Sequence, residues 1–136
     1  MQEYFVDTWF FIADFNRLDS DHRRARQIRS NLPQVILVSH DGVLSEFLTF
    51  FADAGEYWRV RAARFVRALA LDRTVVLRPA DRALFLAALD HYQDRRDKEY
   101  SLVDCMSMVV MRERGITHVL TNDHHFSQEG FTLVNE

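Results

Sequence analysis

Lysine is almost missing from this chain of 136 residues: 16 of its 17 basic residues are Arg, and Lys98 stands alone. The bias has two readings, since guanidinium is the better bidentate partner for phosphate and an Arg-for-Lys shift also follows genome composition. A single cysteine, Cys105, excludes an internal disulfide and fits a reducing compartment. Set in an apolar stretch, it reads as core and not as a nucleophile. With 4 Gly and 2 Pro there is no linker composition, so one domain covering residues 1–136 is expected. No apolar run approaches the roughly 20 residues that cross a bilayer. The start, Met1 to Asp7, has no basic segment and carries an acid where an export signal would be apolar. A cytoplasmic protein without membrane contact is the expectation.

What is present is a core-forming composition, 48% apolar with 11 Phe, 4 Tyr and 2 Trp, which argues against disorder. The formal net charge of −3 gives no overall attraction to nucleic acid, so any polyanion site must be a local patch. Short aliphatic or β-branched runs alternate with stretches of helical periodicity, the pattern of a parallel sheet flanked by helices. The runs predict strands at Tyr4 to Val6, Val35 to Val38, Thr74 to Leu77, His118 to Thr121 and near Phe131 to Val134. Helices are predicted at Trp9 to Asn16, Asp21 to Asn31, Gly42 to Ala54, Glu56 to Asp72, Asp81 to Arg95 and Leu102 to Arg114.

Ligands of open parallel sheets bind outside the carboxyl ends of the strands, and four acids fall near that rim. Asp7 ends the first strand and Asp123 follows the fourth, while Glu46 and Asp104 lie in the first turns of helices. Asp104 carries the strongest physical argument. Leu102, Val103, Cys105, Met106, Met108, Val109, Val110 and Met111 make its helix apolar nearly all round, and an unpartnered carboxylate there is costly. Structural readings stand beside each functional one. Ser101 and Asp104 have the spacing of a capping box, Asp7 can cap a helix and Asp123 can form a turn, and Glu46, at the edge of an apolar stripe, can be an ordinary solvated acid. Together, however, several carboxylates at one rim repel and require a cation. Oxygen donors favour Mg²⁺ or Mn²⁺ over zinc.

These segments also carry a resemblance. Phe5-Val6-Asp7-Thr8, Val43-Leu44-Ser45-Glu46, Tyr100-Ser101-Leu102-Val103-Asp104-Cys105, Arg114-Gly115-Ile116 and Leu120-Thr121-Asn122-Asp123 with Phe126 resemble the motifs of the PIN-domain family, over nearly the whole chain. Within it, the likeness is to the single-domain nucleases that include the VapC-type toxins. The resemblance implies a PIN-like three-layer α/β fold with a central parallel sheet of four to five strands. It assigns Asp7, Glu46, Asp104 and Asp123 as the catalytic and metal-binding quartet, with Thr8, Ser101, Thr121 and Asn122 in support. Asp97, in a polar run before Ser101, is a further supporting candidate.

The implied activity is endoribonuclease cleavage with Mg²⁺ or Mn²⁺, leaving a 5′-phosphate and a 3′-hydroxyl. The implied setting is a toxin with a protein antitoxin, expected as a homodimer. RNA is expected along Arg61, Arg64 and Arg67, with Arg23, Arg24, Arg26 and Arg29 on another helix; such a stripe is more often only a solvated face. Phe47, Phe50, Phe51, Tyr57 and Trp58 offer either a protein-binding groove or core. Of the six histidines, His124 is the candidate substrate contact, and no spacing suggests zinc. Two alternatives remain: a catalytically silent PIN-like binding module, and a haloacid dehalogenase-type phosphatase, which needs a second Asp where this chain has Trp9.

Overall fold

A computed structural model describes residues 1–135. Five strands, β1 (Gln2–Val6), β2 (Val35–His40), β3 (Val75–Arg78), β4 (His118–Leu120) and β5 (Thr132–Leu133), form one sheet in the order β3-β2-β1-β4-β5. All four pairings are parallel, with Phe5 opposite Val38 on one side and Val119 on the other. Seven helices connect them: α1 (Thr8–Phe15), α2 (His22–Asn31), α3 (Asp41–Phe50), α4 (Glu56–Leu71), α5 (Arg82–Asp94), α6 (Leu102–Arg114) and the short α7 (His125–Gln128). This is the expected α/β architecture, with the sheet at its five-strand limit.

Strand order determines where the site can lie. The chain steps outward from β1 to β2 to β3, then crosses back to β4 on the other side of β1. Right-handed crossovers place α1 to α4 on one face of the sheet, and α5 and α6 on the other. The direction of winding reverses at β1, so a crevice opens at the carboxyl ends of β1 and β4. Asp7 and Thr121 are the first residues beyond those ends.

Burial on both faces explains the near-continuous apolar strands: Phe5, Val6, Val38, Val119 and Leu120 are all inaccessible. On the α1–α4 face, Phe15 is the centre of an aromatic cluster, with its ring centroid 5.3 Å from Phe47, 5.3 Å from Phe51, 5.0 Å from Phe65 and 5.9 Å from Trp58. Three of the five aromatics considered for a protein-binding groove, Phe47, Phe51 and Trp58, therefore belong to or pack on the core. Phe50 and Tyr57 remain about half exposed.

Three departures from the sequence expectation have physical causes. Strand β2 runs two residues beyond Val38, because Ser39 and His40 are buried and satisfied: Ser39 Oγ donates to Val6 O at 3.0 Å, and the His40 ring bridges Gly42 N and Ser107 Oγ. Helix α3 stops at Phe50 instead of Ala54, giving a turn that ends at Gly55 with φ 104°, a conformation glycine adopts at no steric cost. Helix α7 is too short to leave a periodic signal. Among the described residues, no helix is long and apolar enough to cross a membrane.

Candidate active site

Asp7 sits at the N-cap position of α1, yet its carboxylate makes no capping bond. It turns toward the crevice and accepts from Thr121 Oγ1 at 2.7 Å. Thr121 Oγ1 in turn accepts from the backbone N–H of Asp123 at 3.1 Å, so one hydroxyl fixes both the first and the last acid of the expected quartet. Glu46 is not a solvated acid either. Thr8 Oγ1 donates to its Oε1 at 2.6 Å, joining α1 to α3.

Asp104 caps its own helix as the sequence suggested. Its backbone N–H donates to Ser101 Oγ at 3.0 Å, and its Oδ2 accepts from Ser101 N at 3.1 Å. The same Oδ2 faces the His125 ring, so one oxygen serves both contacts. Ser107, one turn on, does not support Asp104; it donates to Val103 O and meets His40.

The acids crowd one another. Burial pushes Asp7 up to about 6, opposed by the Thr121 hydroxyl and the nearby backbone N–H of Thr8 and reinforced by the charges of Asp104 and Glu46. Burial also raises Glu46, with Thr8 opposing and Asp104 adding to the shift. Asp104 is raised by burial and by Asp123, against the bonds from Ser101 and His125. Desolvated like charges disfavour full ionisation, and a divalent cation removes that penalty. The donor set therefore fits a metal: Asp104, Asp123 and His125 each bring a ligand atom within 4.8 Å of the other two, a convergence found nowhere else among the described residues. Asp7 and Glu46 stand outside that triangle but feel the charge of Asp104.

Several supporting assignments need correction. Asn122 does not brace Asp123: its Oδ1 accepts from Arg24 at 3.3 Å. Asp97 stays outside the cluster, its side chain 80% exposed and 3.5 Å from Lys98 Nζ, because the polar run around it is a solvated surface. His124, the candidate substrate contact, is exposed beside the site with Nδ1 4.0 Å from Asp123, and its neighbour His125, which the sequence reading passed over, faces the acids with Nδ1 3.4 Å from Asp104 and 3.3 Å from Asp123. A one-turn helix after Asp123 decides which histidine turns inward, and two adjacent histidines give no periodicity to read. Trp9, where a phosphatase would need its second Asp, donates its indole N–H to Asp21.

The arginines also divide. Arg26 and Arg29 reach the buried Asp14, a pairing the sequence did not reveal, and Arg24 lies 5.0 Å over the Trp9 ring. These three tie α2 to the body of the protein. Arg61, Arg64 and Arg67 are exposed along α4, with Arg61 stacked on Tyr57. Cys105 is buried, and its thiol is pushed up to about 11, chiefly by burial, so it is inert core.

A switch-point crevice lined by crowded carboxylates defines a class, and the class is confirmed by comparison: the PIN domain profile matches residues 4–131, and the chain belongs to the PIN-domain family. The relatives are specific. The chain is 32% identical over 130 residues, covering 96% of both chains, to the 23S rRNA-specific endonuclease VapC20 of Mycobacterium tuberculosis. The crystal structure of VapC20, described as a Sarcin-Ricin loop cleaving toxin, matches with a TM-score of 0.85 and 31% identity over 98% of this chain and 99% of that one. FitAcB from Neisseria gonorrhoeae shares the fold, with a TM-score of 0.72 at 14% identity over 97% and 96% of the two chains.

Proposed function

We propose that this chain is a divalent-metal-dependent endoribonuclease acting as the toxin of a toxin-antitoxin pair, with the domain spanning residues 1–136. The observation that carries the reading is the clustering of Asp104 and Asp123 with His125, to which Asp7 and Glu46 are coupled through the charge of Asp104, while no Arg or Lys pairs with any of the four acids among the described residues. The similarity to VapC20 makes RNA the substrate class, and the sarcin-ricin loop of 23S rRNA the first sequence to test.

Asp104 and Asp123 would hold one cation, and Asp7 and Glu46 would complete the acidic lining or take a second. Bound Mg²⁺ or Mn²⁺ supplies Lewis-acid charge at a scissile phosphate and a water of lowered pKa. The chain's own residues do the positioning. Thr121 fixes Asp7 against the backbone of Asp123, Thr8 fixes Glu46, and Ser101 anchors Asp104 at the start of α6. No side-chain nucleophile is needed, which agrees with the inert Cys105. An open cleft of about 540 Å³ beside Glu46, lined by Thr8, Ile12, Gly42, Thr49, Phe50 and Val103, leaves room for a nucleotide next to the acids. A protein antitoxin, a homodimer and a cytoplasmic location accompany this reading.

A catalytically silent module has less support. Desolvated acids at this density lower stability, and a site kept for binding alone has no use for them. The test is cleavage of an RNA carrying the sarcin-ricin loop in Mn²⁺ or Mg²⁺, with EDTA as the control. Asp7→Asn and Asp104→Asn should each abolish cleavage while circular dichroism stays unchanged; retained activity in either would remove that acid from the site.

A further inference from the structure

The quartet is all oxygen, but the tightest cluster in the crevice is not. His125 begins α7, two residues after Asp123, and its Nδ1 lies 3.3 Å from Asp123 Oδ2 and 3.4 Å from Asp104 Oδ2. From these positions we propose that His125 is a nitrogen ligand of the metal held by Asp104 and Asp123, and that this chain thereby prefers Mn²⁺ to Mg²⁺. The proposal rests on the metal-nuclease reading above and deepens it.

The spacing suits a shared ion. Neighbouring donors on a six-coordinate cation at about 2.1 Å sit roughly 3.0 Å apart, close to the two separations seen. Without a cation or a proton between them, the Nδ1 lone pair and two carboxylate oxygens would repel. The turn that carries the ring, and the ring itself, are both held in place. The His125 backbone N–H donates to Asp123 Oδ1 at 2.9 Å, which locks the turn that starts α7. Tyr100 packs edge-on against the ring, with centroids 5.3 Å apart.

Tyr100 is itself anchored. Its hydroxyl donates to Glu129 Oε2 at 3.1 Å, and the same buried carboxylate is gripped by Arg95 at 3.0 Å and by Arg112 at 3.2 Å. Glu129 closes α7 at the other end. The helix carrying His125 is therefore fixed at both termini, leaving the imidazole only 20% exposed and aimed at the acids.

A nitrogen donor changes the selectivity of the site. Mg²⁺ keeps to oxygen and water ligands, while Mn²⁺ accepts imidazole readily and binds more tightly to mixed N,O sets. Ligand chemistry, not global charge, would then set which ion the protein carries.

The experiment uses the full chain with Mn²⁺ alone, without RNA. Pulsed EPR of the Mn²⁺-loaded wild type should show nitrogen hyperfine coupling from one imidazole. His125→Asn should lose that coupling and bind Mn²⁺ roughly 10–100-fold more weakly by calorimetry, with a much smaller change for Mg²⁺. His125→Asp, which restores an all-oxygen set, should bind Mn²⁺ without nitrogen coupling and narrow the preference over Mg²⁺. Wild-type Mn²⁺ bound without nitrogen coupling would overturn the proposal and assign His125 a hydrogen-bonding role only. Unchanged Mn²⁺ affinity in a folded His125→Asn would do the same. Failure of the wild type to bind either ion, with Asp104→Asn indistinguishable from it, would instead remove the metal reading on which the proposal stands.

Discussion

Asp7 illustrates how a single side chain couples stability to function. Its folded-state value of about 6 lies above the ordinary 3.8, so the folded protein holds this proton more tightly than the unfolded chain does. Asp7 therefore imposes no penalty below about pH 3.8, and its cost grows as pH rises through about 6, reaching about 3 kcal/mol. Asp7→Asn keeps an acceptor for Thr121 but removes the charge. In metal-free buffer the variant should be more stable than the wild type by about 2–3 kcal/mol at about pH 8, and close to it near pH 4, as read by urea unfolding. Added Mn²⁺ should raise the melting temperature of the wild type, and should raise that of the variant by less, since the cluster of Asp104, Asp123 and His125 is intact in it. Asp104 was legible from sequence because an acid on an apolar helix needs a reason to be there. The inward turn of His125 was not, because it depends on the hydrogen bond between its own N–H and Asp123 across one short turn.

At the scale of elements, β2 leads into α3 through a buried histidine. His40 is held near 4, chiefly by burial, and stays neutral: Nδ1 accepts from Gly42 N at 3.0 Å and Nε2 donates to Ser107 Oγ at 2.9 Å. This bridge fastens α3, which carries Glu46, to α6, which carries Asp104. Gly42 is required for it, since a Cβ there would come 2.8 Å from His40 Cε1 and 3.3 Å from Met106 Cε. In an ordinary helix, Gly→Ala gains about 1 kcal/mol. Here Gly42→Ala should instead destabilise by about 1–3 kcal/mol through overpacking, measurable by thermal unfolding, and should weaken cation binding by moving Glu46 relative to Asp104. Sequence periodicity located all five strands and the six longer helices, because each buries a stripe. It could not show that Ser39 and His40 extend a strand, since polar residues satisfied by partners 33 and 67 positions away look like strand ends.

For the whole molecule, the question is how a chain of net charge −3 meets a polyanion. Much of its arginine is spent on structure: Arg26 and Arg29 on Asp14, Arg78 on Asp81 and Glu113, Arg95 and Arg112 on Glu129, and Arg114 on Glu3. Arg61, Arg64 and Arg67 on α4 have no ion pair among the described residues and are exposed. Replacing all three by Ala should weaken RNA binding in EDTA and flatten its salt dependence by about 0.7 in log–log slope for each phosphate the arginines neutralise in the wild type, leaving stability nearly unchanged. An unaltered salt slope would mark the stripe as a solvated face.

The decisive measurement is metal-dependent cleavage of an RNA bearing the sarcin-ricin loop by the wild type and Asp104→Asn, followed on a sequencing gel. The prediction is cleavage by the wild type in Mn²⁺, its complete loss in EDTA with recovery when Mn²⁺ is restored, and no cleavage by a folded Asp104→Asn. Cleavage that persists in EDTA, or an Asp104→Asn variant as active as the wild type, would contradict it.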